Sequence, residues 1–486
     1  MPETEDTIQF PIPFGIRAAT GRPLEGLDAA SLKDFAQGSP NEQKEADNLA
    51  TKDAVSGPHY GAVAEVDPNA LDESGWAVMF SPSADQRVRE ALQPLLDLRK
   101  QQVADERLFV TFEGATGYLP GQTASAWLSK RGVSMNIVNP RGGVPFYLLL
   151  VGPPDEIPFE FQYGLDIFWA VGRLWFDTAD EFRQYADSVV GYESMPAVPS
   201  RRHTTIFAPR HDFDEATQFF CKQVATPLAK GTETDMPIGV KLKFGIDPFI
   251  AEPATRDALH DILSGKAPLG SPAILLTGSH GVAFAPDDAR VLANQGALVC
   301  QDWDGYGAIT PEQWYAASDV PANASVHGMI HVLFACYGGG CPQFDNFKRA
   351  VRPPAAIAPK SFISRLPQAL LAHPQGGALA SLAHVERAWA YSFQSERRGA
   401  QVQGFRDVLT RLMRGDRIGQ AVDQFNLRWA ALTTELAEVL DDINHNVDVP
   451  LEKLASMWVA RDDARNYIVL GDPAVRLRVA GMAPAL

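Results

Sequence analysis

The chain has 486 residues, 45% of them hydrophobic, enough to bury a core larger than one ordinary domain supplies. Its formal net charge of −16 disfavours binding to DNA, RNA or an anionic membrane surface by bulk electrostatics. Four cysteines, Cys221, Cys300, Cys336 and Cys341, do not make a disulfide scaffold in a chain this long. The opening MPETEDTIQF has neither a basic n-region nor an apolar core, so no secretory signal is read. No apolar run approaches the length that spans a bilayer. A reducing cytoplasm is the expected location, where a reactive thiol would stay reduced. The first 70 residues hold 12 acids against 5 bases. Residues 1–74 read as an irregular acidic segment, exposed or disordered around GSPNEQKEADNLATKDAVSGPHYG.

Regular periodicity begins near Gly75. WAVMF reads as a strand. SPSADQRVREALQPLLDLRKQQ reads as a helix with Val88, Leu92, Leu95 and Leu96 at helical spacing, kinked or broken at Pro94. LFVTF, a helix around TASAWLSKRG and the apolar run PFYLLLVG follow. Asp177 or Thr178 caps a helix that puts Phe182, Tyr185, Ala186 and Val189 on one face. The prolines of MPAVPSRRH place a boundary near residue 200, so residues 75–200 form one α/β unit and 201–486 a second. In the second, TTIFAP and VKLKFGI read as strands, and Asp214 sits as N-cap of DEATQFFCKQVATPLAK. TRDALHDIL is a helix, and AILLTGSHG and MIHVLFACYGGG are apolar strands. SFISRLPQALLA is a helix, GALASLAHVERAW a strand, Ile418–Leu440 helical, and YIVLGDPAVRLRV a closing strand and turn. Strands alternating with helices imply a mainly parallel sheet covered on both faces.

Two of these strands run into reactive residues. One ends at His280–Gly281 and the other at Cys336, followed by Tyr337 and three glycines. Ligands of open α/β sheets bind beyond the carboxyl ends of the strands, so a His and a Cys at two such ends can share a crevice. Thiol chemistry on a carbonyl needs an activated sulfur, a nearby imidazole and backbone donors for the tetrahedral oxyanion. Glycine beside each group permits close backbone approach. Alone, a buried Cys is usually a small hydrophobe and a His before Gly a turn residue; together they point to a cysteine hydrolase.

SHG and, further along, FACYGGG resemble the His–Gly and Cys motifs of the caspase-like peptidase clan. The wider pattern is similar to the gingipain family: YLLLVGPPDEIP, AVGRLWFDTADEFRQYADSVVGYE, GALASLAHVERAWAYSF and YIVLGDPAVRLR stand in that family's order. The resemblance implies a caspase-like three-layer α/β sandwich of two stacked subdomains, the second catalytic. It implies His280 as the imidazole, Cys336 as the nucleophile, and the N–H groups of Gly281 and Cys336 as the oxyanion hole. Trp389 would wall the primary specificity pocket. Asp214, or failing it Asp212, would read a basic side chain, giving cleavage after Arg or Lys; for Asp214 a plain N-cap is the alternative. The family's additional carboxylate would fall near Arg210, where no acid stands, so catalysis is expected to rest on the dyad. No metal or cofactor is carried over.

The partners expected are protein or peptide substrates, with an activating protease or regulatory partner, and neither nucleic acid nor membrane. A protease that cuts after bases is expected to be latent. Two basic stretches could gate it on cleavage: Lys348, Arg349 and Arg352 after the cysteine, and Arg397 and Arg398 after the Trp389 strand. Both also read as ordinary surface loops. A zinc site from His327, His331, Cys336 and Cys341 fails on ligand spacing. No Gly-x-Ser-x-Gly elbow and no phosphate-binding loop is present. The rival reading is a silent binding module that keeps the fold.

Overall fold

The computed structural model describes residues 13–26, 47–52, 61–198, 200–347, 353–395, 399–400, 402–445 and 447–485. Its strands, in chain order, are β1 (Gly15–Arg17), β2 (Trp76–Phe80), β3 (Phe109–Phe112), β4 (Tyr147–Val151), β5 (Ala170–Leu174), β6 (His203–Ala208), β7 (Gly245–Ile250), β8 (Ile274–Gly278) and β9 (Gly281–Ala283). They continue with β10 (Leu298–Val299), β11 (Trp314–Tyr315), β12 (Ile330–Phe334), β13 (Gly340–Cys341), β14 (Phe362–Ile363), β15 (Ala380–His384), β16 (Gln394–Ser395), β17 (Gly399–Ala400) and β18 (Tyr467–Gly471). Ten of them form one sheet in the order β3-β2-β4-β5-β18-β15-β12-β8-β6-β7. Within it only β15 with β18 is antiparallel. A large, mainly parallel α/β sheet is what the alternation predicts. The two units are not stacked, however. They lie edge to edge in this single sheet, joined where β5 pairs parallel with β18.

Burial explains the strand composition. β2, β4, β5, β8, β12 and β15 are buried at every position, so they read as continuous apolar runs rather than as alternation. Helix Gln86–Val103 starts at Asp85, whose carboxylate accepts the Arg87 N–H, and packs on helix Ala179–Ser194. It runs through Pro94 without breaking. The carbonyl this proline leaves unbonded belongs to Glu90, which is solvent-exposed, so water can satisfy it. Helix Ala179–Ser194 starts at Thr178, which shares a capping box with Glu181. The VKLKFGI segment differs from expectation. Val240–Leu242 is a short turn, Lys243 takes a left-handed backbone (φ 60°), and β7 starts only at Gly245. No helix among the described residues is long and apolar enough to cross a membrane.

The Gly-Asp-Pro turn after β18 ties the two units together. Asp472, fully buried, accepts hydrogen bonds from Trp76 Nε1 (2.9 Å), Arg99 Nε (2.6 Å) and the Ala474 N–H (2.9 Å). The Arg99 guanidinium also grips both oxygens of Glu193 at 2.8 and 2.7 Å. The Asp472 N–H donates to Tyr185 Oη, which in turn donates to the Leu379 carbonyl. Removing one member of such a network strands the others in low dielectric.

The N-terminal segment is the largest departure from expectation. Residues 13–26 are not a loose loop. β1 heads a second, four-stranded sheet, β1-β9-β10-β11, and Phe14 and Ile16 are fully buried.

Removal of the Arg99 guanidinium should be costly. Arg99→Ala should destabilise the fold by about 3–5 kcal/mol, because Asp472 would stay buried without its cation. The urea midpoint followed by tryptophan fluorescence measures this; an unchanged midpoint would show that the network is incidental.

Candidate active site

The site begins with a register. β8 and β12 pair in parallel with Gly278 opposite Phe334. Each chain then runs two residues further, one to His280 and the other to Cys336, so the two groups emerge level at the carboxyl end of the sheet. The Ser279 N–H to Phe334 carbonyl bond (3.1 Å) extends the ladder beyond the strands. Gly281 is needed here: a Cβ on it would lie 1.9 Å from the Cys336 carbonyl oxygen.

Asp214 belongs to this constellation. Its carboxylate caps the helix Glu215–Phe220, accepting the Thr217 N–H and hydroxyl, both at 2.8 Å. The same oxygen, Oδ2, lies 2.9 Å from His280 Nε2. Burial opposes ionisation of Asp214, but the His280 imidazole and the Thr217 donors outweigh it and hold the carboxyl down at about 2. With Nε2–H directed at a carboxylate, the neutral imidazole keeps Nδ1 as its unprotonated nitrogen. That Nδ1 is buried and has no hydrogen-bond partner among the described residues.

The cleft is filled by the chain's own N-terminal strand. The Phe14 carbonyl accepts both the Gly281 N–H (3.0 Å) and the Cys336 N–H (2.9 Å). The Phe14 N–H donates to the Ala388 carbonyl (2.8 Å), and Pro13 forms an antiparallel bridge to Trp389. β1 then continues parallel to β9, Gly15 opposite Gly281 and Arg17 opposite Ala283. Gly15 passes so close to the thiol that a Cβ on it would lie 2.9 Å from Cys336 Sγ. The Phe14 ring contacts Phe334, Phe393, His280 and Phe220, with centroids at 4.7, 5.6, 5.8 and 6.1 Å.

Cys336 is wholly buried under this strand. Burial pushes its thiol far up; the Ala388 N–H, 3.2 Å from Sγ, and the Arg387 guanidinium pull the other way without prevailing. Two non-glycine residues in the left-handed region brace the turn: Tyr337 (φ 60°) and Glu386 (φ 62°), joined by the Tyr337 N–H to Glu386 carbonyl bond of 2.6 Å. Each conformation costs about 1–3 kcal/mol, and the backbone bond between them holds both in place.

Several expected roles change. Asp214 does not face a specificity pocket, because its carboxylate is taken up by His280 and Thr217. Asp212 is exposed and paired with Arg210 at 2.9 Å. No acid near Arg210 is needed to assist the imidazole, since Asp214 already touches it. Trp389 does not touch the Phe14 ring; it packs on Phe347 (5.5 Å) in a separate cluster and pairs with the backbone of Pro13. His331 bonds Thr277 and His327 bonds the Ser188 carbonyl, so the two point to different neighbours. Lys348, Arg349, Arg352, Arg397 and Arg398 lie outside the described residues. Sequence reading missed Phe14, Phe220, Phe334 and Phe393. The available signal was FPIPFGI, residues 10–16, an apolar island in an acidic segment.

Residues 84–478 match Peptidase family C25. Among solved structures, a chain described as "Structure of Protease" is similar over 83% of this chain and 78% of its own, with 14% identity and a TM-score of 0.46. A chain of a Saccharomyces cerevisiae separase–securin complex is similar over 92% of this chain but only 22% of its own, with 10% identity and a TM-score of 0.29. No curated protein matches.

The depressed Asp214 carboxyl makes a pH signature. A carboxyl lowered in the folded state stabilises it fully above the ordinary value of about 3.9, and this is lost as pH falls through about 2. Asp214→Asn should therefore cost about 2–3 kcal/mol at neutral pH, with the gap to wild type closing between about pH 4 and pH 2. Thermal midpoints of both proteins across that window test this; a gap independent of pH would remove the ionised carboxylate from the account.

Proposed function

Because the chain belongs to Peptidase family C25, the gingipain family of cysteine peptidases in the caspase-like clan, we propose that it hydrolyses peptide bonds with Cys336 and His280, assisted by Asp214. The observation that carries this reading is the convergence of the Gly281 and Cys336 N–H groups on one carbonyl oxygen beside the thiol. Donors so arranged stabilise the negative charge that develops on a carbonyl under attack.

The chemistry follows from the geometry. With a substrate in place of the N-terminal strand, Nδ1 of His280 takes the thiol proton and Sγ attacks the carbonyl carbon. A C–S bond forms, and the carbonyl electrons move to the oxygen held by the two N–H groups. Collapse breaks the C–N bond while Nδ1 returns its proton to the departing amine. Water, deprotonated by the same Nδ1, then cleaves the thioester, releasing a carboxylate and restoring the thiol. Asp214 keeps the ring oriented and stabilises the imidazolium.

The intact chain is latent on this reading. The strand over Cys336 takes the donors a substrate needs and shields the thiol. A cleaving protease or a binding partner would have to dislodge residues 13–17. The N-terminal segment is the gate on this reading; the two basic stretches lie outside the described residues.

Phe14→Ala removes a fully buried aromatic side chain, worth about 1.5–3 kcal/mol of strand binding. It should raise hydrolysis of a mixed peptide library by about tenfold or more over wild type. In that background Cys336→Ala should abolish turnover, and His280→Ala should lower it by about 10²–10⁴. Unchanged turnover in Cys336→Ala would sink the nucleophile assignment. Wild type as active as Phe14→Ala would sink the latency.

A further inference from the structure

The geometry points to an aromatic side chain, not a basic one, as the residue this peptidase accepts immediately before the scissile bond. The inference rests on the peptidase reading above and adds the substrate class. Phe14 lies as a substrate would. A bound peptide adds as an extended strand, with backbone bonds fixing its position and pockets reading its side chains. Here the Phe14 N–H is held by the Ala388 carbonyl, its own carbonyl lies in the donor pair, and Pro13 pairs with Trp389. The residue whose carbonyl meets those donors precedes the bond to be cut, and Gly15 follows it.

The pocket around that side chain is made of rings from three parts of the catalytic unit. Phe220 ends the helix that Asp214 caps, Phe334 ends β12, and Phe393 follows the turn Ala390–Ser392. These three pack on one another with centroids 5.4–5.7 Å apart. Phe405 contacts both Phe220 and Phe334 at 6.3 and 5.8 Å. Every one of these rings is at most 1% exposed. The Phe14 ring meets Phe220, Phe334 and Phe393 edge-to-face, with interplanar angles of 70°, 66° and 78°, while Phe220 and Phe334 stack on each other.

A guanidinium or ammonium in the same place would fare badly. Asp214 is committed to His280, and Asp212 is on the surface. A third carboxylate, Asp463, is taken up by the Trp389 N–H and the Ser392 hydroxyl. A buried cation loses its hydration, and attraction to the ring faces returns only part of that loss when no carboxylate is free to pair with it. An aromatic ring incurs no such cost.

The test uses the full chain with Phe14→Ala, which empties the pocket and leaves its walls intact. Irreversible thiol-directed peptidyl ketones, differing only in Phe, Tyr, Arg, Lys or Asp at the terminal position, are reacted with it. Modification of Cys336 is followed by mass spectrometry. The Phe and Tyr probes should react at least about tenfold faster than the Arg and Lys probes. Faster reaction with a basic or acidic probe overturns the proposal while leaving the Cys336 reading standing. A second variant, Phe14→Arg, should open Cys336 to the Phe probe as Phe14→Ala does. If Phe14→Arg shields the thiol better than wild type, the pocket reads bases and the proposal fails. If both variants melt as wild type does yet no probe modifies Cys336, the peptidase reading fails and takes this inference with it.

Discussion

The site depends on the parallel register of two strands. Opposing Gly278 and Phe334 brings β8 and β12 to the same level. Slipping either strand by one residue would turn its side chains to the opposite face and separate imidazole from thiol. One polar contact inside the apolar core pins that register: the Thr277 hydroxyl of β8 and Nε2 of His331 on β12 lie 2.9 Å apart, both buried, and a slip would leave each without the other. The relative placement of His280 and Cys336 is thus set within β8 and β12, before either residue is reached.

Beyond the strand ends the same backbone creates a demand. Gly281 and Cys336 each present an N–H in a buried crevice, and a buried donor without a partner costs about 1–3 kcal/mol. The chain meets that demand with its own Phe14 carbonyl. Occupancy of the cleft and the convergence of its two backbone donors are therefore one fact seen from two sides. A site poised to bind a peptide carbonyl attracts whichever peptide is nearest.

Much of this was legible from residue order. The strand ends carrying His280 and Cys336, the cap at Asp214 and the mainly parallel sheet all follow from apolar runs and turn signals. Asp214 shows where such reading stops. An N-cap carboxylate is recognisable from its place before a helix, but one oxygen serving both Thr217 and His280 is a three-dimensional coincidence of residues 66 apart. The placement of β1 was hidden for a different reason. Acid and proline surround residues 13–17, and composition averaged over the segment outweighs one short apolar island. The edge-to-edge junction of the units was equally hidden, since parallel pairing of β5 with β18 joins positions about 300 residues apart with no local signature.

That junction has a consequence for how the protein comes into being. β18 lies between β5 and β15, in the middle of the sheet, yet it is the last of the ten strands to leave the ribosome. Strands β2 to β5 can assemble early as a local parallel group, and β6, β8, β12 and β15 can follow. The seam between them stays open until residues 467–471 arrive. Until then both flanking strands, β5 and β15, expose unpaired edges of the kind that recruit other chains. Vectorial synthesis therefore leaves a window in which two half-sheets await one strand, and a chaperone that shields strand edges would act in that window.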